Sequence, residues 1–338
     1  MYVSDITVYA YHQILLLSRA YDINVGIFSI PDFYEKDGRG YSKVTYWNGR
    51  EFVTEEAELP YLLDTTFPLI RNSFDNDTSV FLKHLHQRRL LRGNTVTKRR
   101  LMPVLLAAGL AEYAIPTQSV KSYEEAYRAA SIWNKAMAKP AFDSMGRGIF
   151  ALHKDGEKLI YETTEESGEL TDAAWSRLTK KDGENREYLI QPRMNFSAKD
   201  GYALDFRLLV NKGRTGEWEL VEIEARIGGS SLVSNVAAGG TIFEKHCTLN
   251  AQYGDQAGII EERLEHLARV IPCAIERFAT RPPICLGIDV GIDRDTLLPY
   301  VLEVNGDPGT HQMWLLAKKR IEYYLYVLEE KKADEEKE

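Results

Sequence analysis

The stretch YVLEVNGDPG, residues 300–309, decides the fold of this chain. Apolar and aromatic residues lead into the carboxylate of Glu303, the carboxamide of Asn305 follows two positions later, and a polar turn ends the run. Alternate side chains of a strand lie on one face, so we expect Glu303 and Asn305 to point the same way at a strand end. Hard oxygen ligands in that arrangement suit Mg²⁺.

A second candidate strand, ICLGIDVGI at residues 284–292, is apolar except for Asp289. If it pairs with the first strand, the oxygens of Asp289, Glu303 and Asn305 converge on one face and form a metal site. The alternative is a buried hairpin that ends in a polar turn. A buried carboxylate needs a partner, which favours the metal site.

Composition sets limits on the class of protein. The chain has 338 residues, of which 44% are hydrophobic and 27% charged, as in soluble globular proteins of about two domains. Its net charge of −8 argues against a nucleic-acid partner. Three widely spaced cysteines predict no disulfide framework, and we find neither a bilayer-spanning run nor a signal peptide. We therefore expect a cytoplasmic protein with no membrane partner.

The first hundred residues read as an α/β layer. A helix-like stretch near 12–20 precedes a short strand near 25–30, and the β-forming run of residues 41–66 has the hairpin dipeptide Asn48-Gly49. A basic cluster extends from Lys83 to Arg100, and we interpret it as a solvated helical face rather than a patch for an acidic partner. Thr97 then precedes a predicted helix over residues 98–114.

Next in the chain come groups that suit phosphate. Lys139 stands near the end of a predicted strand, residues 136–140, and a Gly- and Ser-containing turn joins it to a second strand. Glycines let backbone N–H groups approach phosphate oxygens, and the Lys139 ammonium would reach the same oxygens. A flexible hairpin without a ligand is the alternative.

Two further strands carry arginines on alternating faces. Asp205 and Arg207 share one face of the predicted strand over residues 204–210, and Arg226 shares a face with two glutamates in residues 218–227. Inward arginines favour a polyanion between the strands, whereas cross-strand salt bridges are the alternative. The following small-residue stretch, 228–241, is either a linker or a loop packed around a ligand.

Taken in order, cations and loop amides come first and metal ligands last, which is the set of groups that a nucleoside triphosphate with Mg²⁺ requires. No phosphate-binding loop of the Gly-x-x-x-x-Gly-Lys-Ser/Thr type and no protein-kinase signature is present. The order resembles the ATP-grasp superfamily over about residues 96–316. Glu303-Val304-Asn305 is similar to its Glu-x-Asn motif, and Lys139-Pro140 with Gly239-Gly240-Thr241 is most like the YheC/YheD-like, spore-coat-associated branch.

The resemblance implies roles for particular residues. Two lysines and a closing loop would bind the ATP phosphates, two residues near Pro192 would offer backbone groups to adenine, two arginines and an asparagine would act at the transferred phosphate, and three residues would hold Mg²⁺, with Mn²⁺ as an alternative. The two lysines are Lys98 and Lys139, the closing loop consists of Ser144, Met145, Gly146, Arg147 and Gly148, and the adenine contacts are Gln191 and Met194. The residues at the transferred phosphate are Arg207, Arg226 and Asn235. The metal ligands are Asp289, Glu303 and Asn305. Pro192 and Arg193 stand where many members of the superfamily have an acidic residue.

The resemblance also implies a fold and an activity. The fold would be α/β of the α+β kind, with an N-terminal pre-ATP-grasp domain over residues 1–95 and an ATP-grasp domain over 96–325. Within the latter, a small lobe would span about 130–195 and a metal-binding lobe about 196–325, with a charged tail at 329–338. The implied activity is an ATP-dependent carboxylate–amine ligase that joins a carboxylate to an amine acceptor through an acyl phosphate, and its relatives are commonly homodimers.

Two other functions stay open at this point. One is a structural or spore-coat protein of the same fold that binds nucleotide without turnover. The other is an ATP-dependent kinase that acts on a hydroxyl.

Overall fold

The protein is described by a computed structural model. It describes residues 5–28, 32–64, 84, 88–91, 95–142, 147–181, 184–230, 232, 234, 239–306, 308 and 311–337.

The N-terminal part combines one helix with a small antiparallel sheet. Its elements are α1 (Asp5–Ala20), β1 (Gly26–Phe28), β2 (Tyr34–Lys36), β3 (Arg39–Trp47), β4 (Phe52–Glu58), β5 (Leu62–Asp64) and β6 (Arg89–Leu91). The long strand β3 pairs with β4 along one edge and with β1 and β2 along the other. The predicted hairpin is confirmed, since the Asn48 side chain accepts the N–H groups of Arg50 and Glu51 in the turn between β3 and β4.

The middle of the chain forms a second sheet. Its elements are α2 (Lys98–Ala107), β7 (Gln118–Val120), α3 (Tyr123–Ser131), β8 (Lys135–Pro140), β9 (Phe150–Asp155), β10 (Lys158–Glu162), β11 (Ser167–Glu169), α4 (Asp172–Thr179), β12 (Lys180–Lys181), β13 (Glu184–Asn185) and β14 (Tyr188–Pro192). Six of the strands join in the order β11-β10-β9-β8-β14-β7. Helix α3 packs on this sheet through its alanines, around the buried rings of Phe150, Trp175 and Tyr188.

The last third forms a five-stranded antiparallel sheet. Its elements are β15 (Leu204–Lys212), β16 (Trp218–Ile227), β17 (Thr241–Phe243), α5 (Lys245–Tyr253), α6 (Ala257–Phe278), β18 (Cys285–Ile292), β19 (Pro299–Asn305) and α7 (Met313–Glu335). The strand order is β17-β16-β15-β18-β19. The pairing of β18 with β19, expected from the sequence, is confirmed, because Asp289 lies opposite Glu303.

The two faces of this sheet pack against different helices. Apolar residues such as Phe206, Leu208 and Ile288 pack against Leu264 and its neighbours on α6. On the other face, α7 covers the far half of the sheet, where Leu209 and Cys285 join its core. The other half of that second face carries polar side chains, among them Arg207 and Asp289. The alternation of the strands therefore separates a core from a site.

Two expectations from the sequence are wrong. The helix that begins at Lys98 ends at Ala107 instead of Ala114, because Gly109 has a φ of +77° and turns the chain. The described part of the basic cluster is not one solvated helical face: Arg89–Leu91 is the strand β6, parallel to β5, and Arg88 donates a hydrogen bond to the Leu59 carbonyl, whereas Lys98 begins the helix α2. Local periodicity does not show this, since the strand depends on its distant partner.

The sheets follow one another along the chain, and the domain bounds given above stay a prediction. Among the described residues, no helix has the length and apolar character that a membrane span requires.

A buried polar group joins the N-terminal part to α7. The guanidinium of Arg320, only 1% exposed, donates to the Asp64 carboxylate at 3.0 Å, and the Tyr324 hydroxyl donates to the same oxygen at 2.5 Å. Asp64 ends β5, so this contact holds the first sheet region against the last helix.

We expect Arg320→Met to lower the free energy of unfolding by about 3–5 kcal/mol, because it leaves the Asp64 carboxylate buried without its cation. Arg214→Met is the matched control: Arg214 pairs with Glu329 at the surface, and its loss should cost about 0–1 kcal/mol. Urea denaturation of both variants measures the difference. Equal losses of unfolding free energy in the two variants would contradict the structural role given to Arg320.

Candidate functional site

A row of four charged residues crosses the centre of the five-stranded sheet. Glu224 lies opposite Arg207, Arg207 opposite Asp289, and Asp289 opposite Glu303. Residues directly opposite in antiparallel strands share a face, so the four side chains stand side by side. The bulge at Leu302, where the register of β18 and β19 shifts, adjoins Glu303 at the end of this row.

Two arginines hold Asp289. Arg207 binds it with both branches of its guanidinium, through Nε at 2.8 Å and Nη2 at 2.9 Å. Arg226 donates to the same carboxylate at 3.1 Å and binds Asp205 at 2.6 and 2.7 Å. Ser234 donates a further hydrogen bond to Asp205. The structure thus shows the cross-strand salt bridges that the sequence analysis held open as the alternative to a bound polyanion.

These contacts determine the charge of the buried groups. Burial alone would raise the pKa of Asp289, but Arg207 and Arg226 outweigh it and hold the pKa below its usual value. Burial would lower the pKa of Arg226, but Asp205 and Asp289 raise it. Asp289 and Arg226 are therefore ionised near neutral pH and anchor the site.

Two lysines reach the same place from different elements. Lys98, the first residue of α2, has its Nζ 3.6 Å from Glu303. Lys139, on β8, has no hydrogen-bond or ion-pair partner among the described residues. Burial and the neighbouring charge of Lys98 lower the pKa of Lys139 to about 8, although Glu303 and Asp205 act in the opposite direction.

The carboxyl group of Glu303 is also affected by its surroundings. Burial raises its pKa, and the charge of Asp289 adds to that effect. Lys98, Lys139 and Arg207 lower it, but not enough to cancel the shift. A divalent cation would favour the ionised form of this carboxylate, which is the chemistry of a metal ligand.

These side chains line a cavity of about 630 Å³. Lys98, Lys139, Gln191, Met194, Arg226, Asp289 and Glu303 all contribute to its wall. Arg207 is not part of this wall, but it binds Asp289, which is. Asn305 lines a smaller neighbouring space of about 160 Å³, which shares Lys98 and Glu303 with the main cavity. The structure therefore brings together most of the residues singled out from the sequence.

The far end of the cavity is formed by β14 and the residues after it. Pairing of β14 with β7 ends at Ile190, whereas the Arg193 N–H still donates to the Lys135 carbonyl beside β8. Backbone groups of successive strand residues alternate between edges, so Pro192 directs its carbonyl away from β8, past the end of β7. An unpaired strand edge at this position offers backbone groups to a planar ligand.

The loop after β8 is described only in part. Arg147 and Gly148 are exposed, and Gly148 has a φ of +71° where a side chain would meet the Tyr188 hydroxyl and Pro140. Ser144, Met145 and Gly146 lie outside the described residues, as does Asn235. Their predicted roles in binding phosphate and stabilising the transferred group stay predictions.

The site offers few oxygen ligands for a metal ion. The described residues contain no group of three or more His, Cys, Asp and Glu side chains placed to hold a metal ion. Asp289 and Glu303 supply two carboxylates and Asn305 an amide oxygen, but both Asp289 oxygens already accept from arginines. Glu303 with Asn305 fits Mg²⁺ if ligand oxygens complete its shell, which is how proteins commonly bind that ion.

Sequence reasoning missed two supporting residues. Asp205 was seen only as a neighbour of Arg207, although it forms the more buried of the two arginine pairs. Its position two residues before Arg207 on one strand face was the available signal. Thr117, whose hydroxyl accepts a hydrogen bond from the Gln191 side chain at 2.8 Å, carried no signal at all, because it lies 74 positions away.

The comparisons with known proteins agree with this geometry. The model of the YheC/D-like ATP-grasp family matches residues 92–327, which include both lysines, the charged row and the first part of the last helix. The fold is that of an ATP-grasp protein. Within that class, the chain belongs to the YheC/D-like ATP-grasp family.

Two relatives from Bacillus subtilis (strain 168) are similar to this chain in sequence. The chain is 27% identical over 208 residues to the endospore coat-associated protein YheC, covering 58% of this chain and 55% of that protein. It is 28% identical over 224 residues to the endospore coat-associated protein YheD, covering 59% of this chain and 47% of that protein. The aligned part thus spans about half the length of these relatives.

Solved structures of similar shape are more distant. A biotin carboxylase from Campylobacter jejuni covers 78% of this chain and is itself covered to 53%, at 10% identity and a TM-score of 0.46. A D-alanine–D-alanine ligase from Helicobacter pylori covers 82% of this chain, and the match spans 75% of that ligase, at 11% identity and a TM-score of 0.44.

Proton uptake on nucleotide binding would test the state of Lys139. Its pKa of about 8 means that about half of the molecules lack this charge at pH 8. A bound polyanion raises that pKa, so ATP should bind with uptake of up to roughly 0.5 proton at pH 8, and more weakly as the pH rises further. Calorimetry in buffers of different ionisation enthalpy measures the uptake.

Lys139→Met should abolish this uptake, whereas the exposed Lys158→Met should leave it unchanged. Equal proton uptake by the wild type and the Lys139 variant would show that another group titrates.

Proposed function

We propose that this protein is an ATP-dependent carboxylate–amine ligase, which forms an amide bond through an acyl phosphate. Membership of the ATP-grasp family supports nucleotide binding. The carboxylate and the amine are named only as classes, since no side chain of the described site distinguishes one amino acid or peptide from another.

One observation carries the proposal: the partly buried ammonium of Lys139 has no anionic partner within hydrogen-bond distance among the described residues, and it faces the main cavity. A desolvated cation without a partner is unfavourable in the free protein. A phosphate group between Lys139 and Lys98 would supply the missing charge. Arginine pairs such as Arg226–Asp205, which are already satisfied, require no such ligand.

The metal would sit at the other side of that phosphate. We propose that Glu303 and Asn305 hold Mg²⁺ together with phosphate oxygens, and that Asp289 joins them only if one of its arginine contacts opens. Mn²⁺ has similar preferences for oxygen ligands. When bound, the ion would neutralise phosphate charge and polarise the transferred group.

The adenine would lie at the open edge of β14. The backbone N–H of Met194 and the carbonyl turned outward at Pro192 would meet the base, while Met137 and Leu302 line the cavity beside it. The side chain of Gln191 stands at the same end. This places the base and the two lysines at opposite ends of one cavity.

The reaction we propose has two steps. A carboxylate oxygen of the substrate attacks the γ-phosphorus, the bond to the bridging oxygen breaks, and ADP leaves. The amine then attacks the carbonyl carbon of the acyl phosphate and loses a proton, and phosphate leaves with the oxygen that came from the carboxylate. The chain contributes position and charge, through Lys98 and Lys139 at the phosphates and through Arg207 and Arg226 beside them.

The names of the two Bacillus relatives favour one alternative, a coat-associated protein that binds nucleotide without turnover. A kinase acting on a hydroxyl is the other alternative. The three functions differ in their products: a ligase releases phosphate only when carboxylate and amine are both present, a kinase makes a stable phosphorylated product, and a binding protein releases no ADP.

The first experiment is ADP release with Mg²⁺ATP against a panel of amino acids and short peptides. With a stimulating pair in hand, the carboxylate is labelled with ¹⁸O. We expect one labelled oxygen in the released phosphate, because the acyl phosphate carries it over. Label that stays in a phosphorylated product would identify a kinase, and tight ATP binding without ADP release would favour the binding protein.

Glu303→Gln should reduce turnover by about 10²-fold or more, since it removes the carboxylate that would hold the Mg²⁺ needed to neutralise phosphate charge. The matched control is Glu262→Gln, an exposed residue of α6 on the far side of the sheet, which should leave turnover unchanged. A similar rate for Glu303→Gln and wild type would overturn the role of that carboxylate.

A further inference from the structure

The segment between β14 and β15 passes from one sheet to the other beside the cavity. At Arg193 the chain still belongs to the six-stranded sheet, because the Arg193 N–H donates to a carbonyl of β8 at 3.0 Å. At Phe196 it already belongs to the five-stranded sheet, since the Phe196 carbonyl accepts the first N–H of β15 at 2.9 Å. The passage from one sheet to the other therefore takes place within Met194 and Asn195.

Asn195 is held by the turn between β18 and β19. Its backbone N–H donates to Oδ2 of Asp293 at 3.0 Å, and its carbonyl accepts the Arg294 N–H at 2.9 Å. Its side-chain amide donates to Asp295 at 3.1 Å. Both backbone groups of Asn195 are thus bound to one turn of the five-stranded sheet. Met194 is the residue that lies between this anchor and the hydrogen bonds of the other sheet.

The two carboxylate oxygens of Asp293 have separate partners. Oδ1 accepts the N–H groups of Asp295 and Thr296 and the Thr296 hydroxyl, at 3.2, 3.0 and 2.9 Å, and so caps its own turn. Oδ2 accepts the N–H of Asn195. Asp293 is only 5% exposed, so these protein donors take the place of water. Capping a turn requires one such oxygen, which Asn supplies as well as Asp. The second oxygen serves the connection between the sheets.

Met194 lies on the wall of the main cavity, directly before this anchor. Under the proposed function, its backbone N–H meets the adenine base. With the N–H groups of Arg193 and Asn195 both bound, the peptide planes on either side of Met194 are held in place. A held donor binds a ligand more tightly than a mobile one, because ordering a free segment costs binding free energy.

We propose that Asp293 is a positioning residue for the nucleotide base: through Oδ2 it fixes Asn195, and it thereby directs the backbone of Met194 into the cavity. This inference rests on the proposed nucleotide site. Asp293 acts through Asn195 and not by contact with the nucleotide. The phosphate contacts proposed for Lys98 and Lys139, at the opposite end of the cavity, do not depend on it.

Asp293→Asn tests the anchor while it keeps the turn. The amide oxygen of the new side chain can cap the turn in place of Oδ1, but its NH₂ group then faces the Asn195 N–H, so that two donors meet. In the free protein we expect the Asn195 amide hydrogen to exchange about 10-fold faster or more, while that of Thr296 stays protected. Amide hydrogen exchange of the full chain, followed by NMR, measures both.

Binding measurements test the consequence for the nucleotide. Calorimetry compares Mg²⁺ATP, which contains the base, with inorganic tripolyphosphate and Mg²⁺, which offers phosphates alone. We expect Asp293→Asn to weaken ATP binding about 5–10-fold, the value of one backbone hydrogen bond that is no longer held in place. Binding of tripolyphosphate should change by less than about 2-fold, because the two lysines are unaffected.

Asp200→Asn is the matched control for the loss of one negative charge. Asp200 is exposed and accepts the Tyr202 N–H in a neighbouring turn, with no contact to Asn195. This variant should leave the exchange of the Asn195 amide and the binding of both ligands unchanged.

The possible results separate this inference from the proposed function. An Asp293→Asn variant that binds ATP as tightly as the wild type would overturn the positioning role, even if the Asn195 amide exchanges faster. Equal weakening of ATP and tripolyphosphate binding would show a general loss of structure and overturn it as well. A wild-type protein that does not bind ATP would overturn the proposed function itself, and this inference with it.

Discussion

The contact on which the rest of the site depends is the pair of arginine clamps across the centre of the last sheet. Arg207 and Arg226 bring Asp289 and Asp205 into one buried group, in which each carboxylate is bound by a forked guanidinium. Removing one partner from such a group leaves a buried charge, which is far more damaging than losing a surface pair. The group therefore fixes the relative register of β15, β16 and β18 at the cavity wall.

Around this neutralised centre, the structure leaves charge imbalances where a ligand would lie. Burial raises the pKa of Glu303, while burial together with Lys98 lowers that of Lys139. The two groups lie on the wall of the same cavity, on different sheets. Both shifts describe groups that are costly to charge in the free protein, and a polyanion with a divalent cation offsets both. Perturbed groups in a cavity are characteristic of functional sites.

The large sheet shows how one pattern serves both stability and function. Even-numbered residues of β15 form the core with α6, while its odd-numbered residues run from the site at Asp205 and Arg207 to the core under α7 at Leu209. One strand face thus changes from polar to apolar along its length. The same contacts that bury α7 hold the polar half in place, so the rigidity of the site comes from its neighbouring core. His311 is held in place as well, because its backbone N–H donates to Glu224 in the charged row.

The sequence by itself determined the strands that carry Arg207, Asp289 and Glu303, the face on which those side chains lie, and the meeting of Asp289 with Glu303, because a period of two fixes the face and apolar runs mark buried strands. It also determined the hairpin at Asn48-Gly49, whose turn is local. Only the tertiary structure decided that β6 is a strand, that Asp205 is the main partner of Arg226, and that Thr117 orients Gln191. Those features depend on residues brought together from distant parts of the chain, and the choice between a ligand and a salt bridge for each arginine is a matter of distance and burial, which no local pattern records.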